Sequence, residues 1–391
     1  MDIDALRAAT PGCTGIAHFN HSAASLPSRA VLTAIREQME LEATRGPIES
    51  AAAATARIED LRIGMASLLN ATPQEIAFTD SGASAWGLAF SALPALRAGD
   101  RVLVGRHEWG GNLATLHVAA QRVGARVEVI DGNEDGSVST AALSQLLDER
   151  VRLVALTWLP ANGGLVNPAA EIGRLCRAAG VPFFIDAGQA LGQVATDVRA
   201  LACDVLVGAG RKHLRGPRGT GILFVRREFL PTLQPAFLDV LSAPWGVDGP
   251  VLRDDARLFE KGEASLALLL GLGVAVRDTL ALGVPAIQAR IGELAGSLRT
   301  QLRLIQGVQM LDLGRTHSGI VSFNVAGHDA VEVRQRLSGR RINVAANQRA
   351  YTPLDMAARG LDSVVRASLS YVNTEAEVTR LVEAIDELAR R

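Results

Sequence analysis

Seven short apolar segments limit the possible folds of this 391-residue chain more than any other part of its sequence. Most of them are separated by stretches with helical periodicity. Strands this apolar are buried on both faces when helices cover a parallel sheet on each side. We therefore predict an α/β domain with a mainly parallel seven-stranded sheet. The predicted strands are residues 75–79, 101–105, 126–130, 152–158, 182–186, 204–208 and 221–226.

The pattern of segments changes after about residue 257, where shorter and more mixed elements begin. Two helices, residues 28–44 and 51–69, are predicted before the sheet. After residue 257 we predict a long apolar helix (264–280), a second helix, a strand (319–327), a helix (329–338), two strands (341–345 and 365–370) and a final helix. Thr374 and Glu377 have the spacing of a capping box at the start of that helix. These patterns predict a large α/β domain of residues 17–257 and a smaller α+β domain of residues 258–391 together with residues 1–16.

Composition and cysteine usage narrow the function classes. The formal net charge is −1, which provides no general field to attract nucleic acid or an anionic membrane. Cys13, Cys176 and Cys203 have no metal-ligand spacing, and free thiols are typical of a reducing compartment. The N-terminus lacks the pattern of a signal peptide, and the longest near-apolar run, residues 264–276, is too short to span a bilayer. We expect a cytoplasmic protein without nucleic-acid, membrane or metal partners.

Several residues that follow the predicted strands form a chemical set. In open α/β sheets, ligands bind beyond the carboxyl ends of the strands. Residues 80–84 follow the first strand, Trp109 the second, Asp186 the fifth and Lys212 the sixth. Each alone has a common structural explanation, such as a helix cap, a core aromatic or the partner of a buried cation.

Taken together, these residues predict pyridoxal phosphate as cofactor. A partly desolvated lysine beside a second cation has a lowered pKa and is nucleophilic enough to form a Schiff base. Pyridoxal phosphate requires that lysine, an acid for its ring nitrogen, a cradle for its phosphate and a flat group against its ring. Lys212, Asp186, the start of the helix after residue 80, and Trp109 could supply these four parts.

The chain resembles the class V aminotransferase branch of the fold-type I pyridoxal phosphate enzymes from about Phe19 to its C-terminus. The motifs that carry the resemblance are NGGLVNP (162–168), FIDAGQALG (184–192), AGRKHLRGPRGTG (209–221) and VRASLSYVNTEAEV (365–378). The resemblance implies the fold-type I architecture, an amino acid as small-molecule substrate and a homodimer, because the sites of this family lie between subunits.

The resemblance also implies roles for single residues. Lys212 would carry the Schiff base and move the proton at the substrate Cα. Asp186 would pair with the ring nitrogen, Gln189 with the phenolic oxygen, and Trp109 would stack on the ring. Further residues are implied at the two ends of the site: Ala83, Ser84 and Arg211 at the phosphate, Arg366 at the substrate α-carboxylate, and Asn112, Asn162 and Tyr351 in the pocket wall.

Departures from the family pattern guide the choice of branch. Glu263 stands where many relatives have a threonine that reaches a phosphate, and Ala209 lacks a hydroxyl that desulfurases keep. Residues 345–363 contain no cysteine, although desulfurases carry their catalytic cysteine on the matching loop. On this ground we exclude a cysteine desulfurase and favour the branch similar to isopenicillin N epimerase and the ergothioneine C–S lyase.

The expected reaction is β-elimination by a C–S lyase acting on a sulfur-containing amino acid. A class V aminotransferase and an amino-acid epimerase are alternatives, because both reactions begin with loss of the same Cα proton. An inactive binding protein that keeps the fold is an alternative from another class. A dinucleotide-binding enzyme is disfavoured because no GxGxxG motif follows the first strand.

Overall fold

The computed structural model describes residues 1–390. The strands are β1 (Ala17–His18), β2 (Ile76–Thr79), β3 (Arg101–Gly105), β4 (Arg126–Ile130), β5 (Val151–Thr157), β6 (Phe183–Asp186), β7 (Val205–Ala209), β8 (Gly221–Val225), β9 (Val308–Met310), β10 (Ile320–Val325), β11 (Ile342–Asn343), β12 (Ala345–Gln348) and β13 (Ser363–Ser368).

The α-helices cover both sheets and link them. They are α1 (Ile3–Ala8), α2 (Arg29–Arg45), α3 (Pro47–Leu69), α4 (Gly82–Ser91), α5 (Gly110–Val123), α6 (Thr140–Leu146), α7 (Ala169–Ala179), α8 (Val198–Leu201), α9 (Leu266–Leu282), α10 (Val284–Arg303), α11 (Ala330–Gly339), α12 (Pro353–Ala358) and α13 (Glu375–Ala389). The capping box predicted for the last helix is present, with Thr374 accepting from the Glu377 amide.

The predicted fold class is confirmed by a seven-stranded sheet with the order β2-β8-β7-β6-β5-β3-β4. Strands β2, β7, β6, β5, β3 and β4 all point the same way, and β8 runs antiparallel between β2 and β7. Alternate residues of these strands enter two separate clusters of buried side chains, one on each face of the sheet. This is why the inner strands are apolar along most of their length instead of alternating, whereas the edge strand β4 is largely not buried.

The direction of the strands brings their carboxyl ends to one edge. Thr79, Gly105, Thr157, Asp186 and Ala209 end β2, β3, β5, β6 and β7, and all lie at the same edge of the sheet. Polar residues that follow these strands are therefore neighbours in space although they are far apart in sequence.

A second sheet lies in the C-terminal part of the chain. Its four strands are antiparallel in the order β12-β13-β10-β9, and a separate parallel pair joins β1 to β11. The segment 341–345, predicted as one strand, divides at Val344 because β11 pairs with β1 while β12 pairs with β13. The three residues of β9 were not predicted, since so short and half-exposed a strand has no periodic signal. The predicted domain boundary at residues 257 and 258 stays a prediction.

Within residues 1–390, no single helix is both long enough and apolar enough to cross a membrane. One pair, α9 with α10, reaches that length and composition together, but the two helices meet at an angle of 82°.

Candidate active site

A cavity of about 290 Å³ opens at the carboxyl edge of the seven-stranded sheet. It is lined by the segments that follow β2, β3, β5, β6 and β7, and by the loop that leads into β8. A larger depression of about 770 Å³ lies at the opposite edge, among mainly apolar and surface side chains. The smaller cavity holds the predicted lysine and acid, so we place the candidate site there.

Lys212 lines this cavity directly after β7. Its side chain is half-buried, and burial lowers the pKa of Lys212 to about 8. The Asp186 carboxylate opposes that shift, whereas the guanidinium groups of Arg211 and Arg366 add to it. The Lys212 Nζ and an Asp186 oxygen lie 3.2 and 2.9 Å from the position that a β carbon would take on Gly188, so the amine and the acid are within one side chain's reach.

Asp186 ends β6 and is held by two donors. Its Oδ1 accepts from the Gly188 amide at 2.9 Å, and its Oδ2 accepts from Asn112 Nδ2 at 3.0 Å. Asn112 lies in the first turn of α5 and also donates to Glu108 Oε1 at 2.9 Å. The second Glu108 oxygen accepts from the Thr157 amide at 2.8 Å, and burial raises the pKa of Glu108 to about 7.

Gln189 lies beside Asp186 and is buried. Its Nε2 donates to the Ser22 carbonyl at 3.2 Å, and its Oε1 has no partner within the described chain. A buried amide with unused hydrogen-bonding capacity at a cavity wall is able to bind a polar group of a ligand.

The other end of the cavity presents backbone amides and two guanidinium groups, and the Asp80 carboxylate lines it as well. Ser81 caps α4 by accepting from the Ser84 amide at 3.1 Å, which leaves the amides of Gly82 and Ala83 free at the helix N-terminus. A β carbon on Gly82 would stand 2.9 Å from the Gly208 carbonyl, so glycine allows the helix to start close against β7. Arg211, Arg218 and Thr220 line the same end.

Ser84 itself lies one step away from the cavity. Its hydroxyl oxygen is 3.0 Å from that of Ser81, and it lines an adjoining cavity of about 260 Å³ instead. Lys261 and Glu263, both exposed, line that second cavity as well. The structure therefore brings Ala83 to the candidate site and leaves Ser84 behind Ser81.

Trp109 provides an aromatic plane at the cavity. It precedes α5, and its amide donates to Thr157 Oγ1 at 2.9 Å. The Tyr351 ring stacks against it with 5.3 Å between centroids and 28° between planes. Tyr351 does not line the cavity of about 290 Å³; it stacks on Trp109 and is also near enough to Arg366 to raise the pKa of that guanidinium group.

Arg366 lies in the middle of β13, in register with Ser322 of β10 and Ala345 of β12. Like Asn162 and Tyr351 it does not itself line the cavity, but it contacts the lining residue Ala161. It is buried, and burial lowers the pKa of Arg366 to about 10, while Tyr351 opposes the shift. Its two terminal nitrogens donate to the Ala161 carbonyl at 2.9 Å and to Asn20 Oδ1 at 3.1 Å, and its Nε has no partner within residues 1–390.

The structure does not bring Asn162 to the cavity. Its Nδ2 lies 2.9 Å from Thr352 Oγ1 and its Oδ1 accepts from Asn347 at 2.8 Å. The Asn162 amide thus ties the segment after β12 to the loop that follows β5.

Sequence reasoning missed several residues of the cavity and its support. Ser81, Arg218 and Thr220 line the phosphate-sized end, and Glu108 lies behind Asn112. Ser81 lies in the segment 80–84, and Arg218 and Thr220 lie in the motif 209–221, but position in a motif does not reveal which side chain turns inward. The sequence carries no signal that separates Glu108 from Asp80, which also follows an apolar strand but is exposed.

These residues fit pyridoxal phosphate. The unpartnered Gln189 oxygen, the amine beside an acid, and the free amides at the start of α4 together match the aldehyde, ring nitrogen, phenolic oxygen and phosphate of that cofactor. Fold and site thus define a fold-type I enzyme dependent on pyridoxal phosphate.

Comparison with known proteins gives the family. Residues 17–381 match the family described as Aminotransferase class-V, and the chain belongs to that family. It is 33% identical over 336 residues to a probable cysteine desulfurase from Xylella fastidiosa, covering 85% of this chain and 80% of the relative. A cysteine desulfurase structure from Thermococcus onnurineus superimposes with a TM-score of 0.92 at 25% identity, covering 99% of this chain and 98% of that one.

A third solved structure is similar to this chain in fold only. A complex of the cystine C–S lyase C-DES with its product cysteine persulfide has a TM-score of 0.86 at 24% identity, covering 97% of this chain and 99% of that one.

The exclusion of cysteine desulfurases on sequence grounds is wrong. The relatives with clear sequence identity are cysteine desulfurases, and similarity to them extends over most of the chain. The exclusion depended on one missing cysteine in residues 345–363, and a single side chain does not decide membership when the fold and most of the sequence are shared. The chain is a pyridoxal phosphate-dependent enzyme of class V that acts on an amino acid.

Proposed function

We propose that this enzyme cleaves the C–S bond of cysteine or a cysteine derivative by β-elimination, giving pyruvate, ammonia and a thiol or sulfide. Its desulfurase relatives remove sulfur from an amino acid, which supports a sulfur-containing substrate. The observation that carries the proposal is the set of groups around the cavity: a lysine, an acid and an arginine are present, but no cysteine of the described chain lines it.

The three cysteines lie in other parts of the chain. Cys176 in α7 is buried in the core on one face of the sheet, and burial raises the pKa of its thiol to about 12. Cys203 precedes β7 and is therefore at the opposite edge, and burial raises its pKa too. Cys13 lies in a turn near α1, where burial also raises the thiol pKa. Thiols of this kind are poor nucleophiles, so the released sulfur would leave with a small-molecule acceptor or as the free species.

The cofactor would be held by residues along the carboxyl edge of the sheet. Lys212 would bind the aldehyde, Asp186 the ring nitrogen and Gln189 the phenolic oxygen, with Trp109 against the ring. The phosphate end would be held by Ala83 with Gly82, Ser81, Arg211, Arg218 and Thr220, while Ser84 would act through Ser81. When bound, pyridoxal phosphate supplies an electron sink for the bonds at the substrate Cα.

Arg366 would orient the substrate. A buried guanidinium group with an unused Nε–H is suited to a carboxylate, because a planar fork fixes direction as well as position. Lys212, whose lowered pKa leaves much of the amine uncharged near neutral pH, would take the proton from Cα. Asn112 would fix Asp186, and Tyr351 and Asn162 would shape the pocket wall through Trp109 and the loop after β5.

Product analysis tests the proposed reaction. The cofactor-loaded enzyme is incubated with L-cysteine, L-cystine and S-substituted cysteines, and pyruvate, ammonia, alanine and sulfide are measured. We expect pyruvate and ammonia in equal amounts without an added keto acid. If alanine formed in place of pyruvate, the reaction would be desulfuration and not β-elimination. If product formed only with an added keto acid, the reaction would be transamination.

The assembly and location of the protein are also proposals. We propose a homodimer because large apolar side chains are exposed together in residues 237–252. We propose a cytoplasmic location because all three cysteines are free. The division into a cofactor-binding domain (17–257) and a smaller domain (258–391 with 1–16) is kept as part of the proposal.

A further inference from the structure

Glu108 is a buried carboxylate that the proposed reaction leaves without a role. Only 1% of the residue is exposed, and no cation within residues 1–390 forms an ion pair with it. Burying a charge without a cation is costly, so a carboxyl group in this position needs a hydrogen-bonding explanation. The hydrogen bonds of Glu108 connect it, through Asn112, to Asp186.

The two carboxylates share one amide group. Asn112 Nδ2 carries two hydrogens, and it donates one to Glu108 Oε1 at 2.9 Å and the other to Asp186 Oδ2 at 3.0 Å. The remaining Glu108 oxygen accepts from the Thr157 amide at 2.8 Å. Both hydrogen-bonding neighbours of Glu108 are therefore donors, which suits a carboxylate that only accepts.

Protonation of Glu108 would disturb this arrangement. A protonated carboxyl must donate its O–H. On the Oε1 side it meets Asn112, which can accept only after its amide rotates, and the Thr157 side chain, which also hydrogen-bonds Glu108, is the second group able to accept. Rotation would place Asn112 Oδ1 where Nδ2 now stands, against Asp186 Oδ2. The donor that holds Asp186 would be lost, and two oxygens would face each other.

We propose that Glu108 is a positioning residue for Asp186: in its ionised form it fixes the Asn112 amide, which in turn holds the Asp186 carboxylate towards the cofactor ring nitrogen. This inference rests on the proposed role of Asp186. A second negative charge behind Asp186 also increases its affinity for a proton shared with the ring nitrogen. Glu108 thereby supports the protonated ring on which the chemistry at Cα depends.

The arrangement gives a pH dependence, since burial raises the pKa of Glu108 to about 7. The groups that face Glu108 are Asn112 on α5, Thr157 on β5 and the charged Asp186 on β6. His107, its neighbour in the chain, faces Asp355 of α12 instead, with 3.4 Å between Nε2 and Oδ1. We therefore expect the link to Asp186 to weaken as pH falls through about 7 and to be complete at higher pH.

Glu108→Gln is the decisive variant because glutamine imitates the protonated acid. Its amide nitrogen must face either Asn112 or Thr157, so one bond is lost or Asn112 rotates. At pH 8 we expect kcat to fall about 10- to 100-fold, the size expected for one hydrogen bond to a charged group. The KM should change little, because Arg366 is untouched.

Absorption of the bound cofactor gives a readout apart from turnover. We expect the visible band of the wild type to show a titration step near pH 7, and the Glu108→Gln protein at pH 8 to resemble the wild type at pH 6 without such a step. Asn112→Ala should remove the same step while Glu108 remains, which keeps the test valid if Glu108→Gln folds poorly. Glu75→Gln is the matched control, since Glu75 is equally buried but pairs with Arg199 away from the cavity.

The unloaded protein gives an independent measurement. The folded-state pKa of Glu108 is raised, so its contribution to stability is full below the unfolded pKa and is lost as pH rises through about 7. The wild type should therefore lose thermal stability relative to Glu108→Gln between pH 5 and 8, whereas Glu75→Gln should not show this trend. A purely structural role would change stability but leave the step in the absorption band.

The outcomes separate this inference from the proposed function. A wild-type protein that binds no pyridoxal phosphate overturns the proposed function and this inference with it. A normal band with an unchanged step and unchanged kcat in Glu108→Gln overturns this inference alone. The same loss in Glu75→Gln also overturns it, because the effect would then be general.

Discussion

Lys212 is one of only two lysine side chains in the whole protein. The chain contains 40 lysine and arginine residues, of which only Lys212 and Lys261 are lysines. Lys261 is exposed, with its Nζ 4.8 Å from the Phe237 ring centre. Every other basic side chain is a guanidinium group or an imidazole, and neither forms a stable Schiff base. A covalent label on lysine therefore has only two places to go.

This composition allows a direct test of the proposed attachment site. The protein is loaded with pyridoxal phosphate, reduced with borohydride and digested, and the labelled peptide is identified by mass spectrometry. We expect the label on Lys212 and the visible band to disappear in Lys212→Ala, because the amine is then missing. Lys261→Ala should keep both the band and the label. A label on Lys261 in the wild type would refute the assignment of Lys212.

The lowered pKa of Lys212 predicts the pH profile of cofactor binding. Only the uncharged amine attacks an aldehyde, so the rate at which the unloaded protein condenses with pyridoxal phosphate should rise with pH and level off above about pH 8. A lysine with the ordinary value of 10.5 would show a rise that continues to higher pH. Stopped-flow absorbance measures the profile.

Two variants should move the midpoint of this pH profile, the pH at which half of the Lys212 amine is uncharged, in opposite directions. Asp186 raises the pKa of Lys212 and Arg211 lowers it, so Asp186→Asn should shift the midpoint to lower pH and Arg211→Ala to higher pH. A shift in the same direction for both would contradict the electrostatic explanation.

At the scale of the elements, sequence was informative wherever a strand ends. Lys212, Asp186, Gln189 and Trp109 were predicted from their places after apolar strands and in the motifs, and the structure brings all four to one cavity. The rule that parallel strands share a carboxyl edge is sufficient for this, because strand order does not alter which edge a residue reaches.

Residues that depend on how a loop folds were less predictable. Asn162 and Tyr351 stay predictions for the pocket wall: in the structure Asn162 bonds to Asn347 and Thr352, and Tyr351 stacks on Trp109. Ser84 was implied at the phosphate by the family resemblance, whereas in the structure Ser81 caps the helix and lines the cavity. These outcomes depend on side-chain direction, for which the sequence has no period to read.

The segments that carry Trp109 and Tyr351 come close together at Gly110, so we expect substitution of this glycine to disturb the site. Gly110 begins α5, and a β carbon there would clash with the Ala350 carbonyl. Gly110→Ala should therefore displace residues 349–351, weaken cofactor binding and destabilise the fold by about 1–3 kcal/mol, the cost of overpacking. Denaturant unfolding and cofactor titration measure the two effects.

A helical glycine elsewhere provides the matched control. Gly292 in α10 is exposed, and a β carbon there would meet nothing within 4 Å. Gly292→Ala should stabilise the protein by about 0.5–1 kcal/mol, since alanine loses less conformational entropy in a helix. If Gly110→Ala were as harmless as Gly292→Ala, the contact between α5 and the loop after β12 would be ruled out as a support of the site.

At the scale of the whole molecule, the order of strands and helices was predictable from the sequence. The exposed apolar residues of the surface were not. Seven apolar strands separated by helices have few alternative arrangements, and the predicted sheet is present with strand bounds that differ by a residue or so. Residues 237–252 had no periodic pattern and were assigned to no element. In the structure they expose Phe237, Trp245 and Val247, with 79% of Trp245 and all of Val247 accessible.

This apolar surface predicts that the working molecule is a dimer. A monomer seldom leaves so many large apolar groups in water, and their burial against a second copy is favourable in proportion to the area removed from solvent. We expect the wild type to sediment with the mass of two 41.2 kDa chains, and Trp245→Glu combined with Val247→Glu to sediment as one, because two buried carboxylates would face an apolar surface. Leu304→Glu is the control, since Leu304 is 82% exposed but lies at the end of α10, outside this segment, and should leave the dimer intact. A wild type that sediments as a single chain at micromolar concentration would show that the apolar surface serves another purpose.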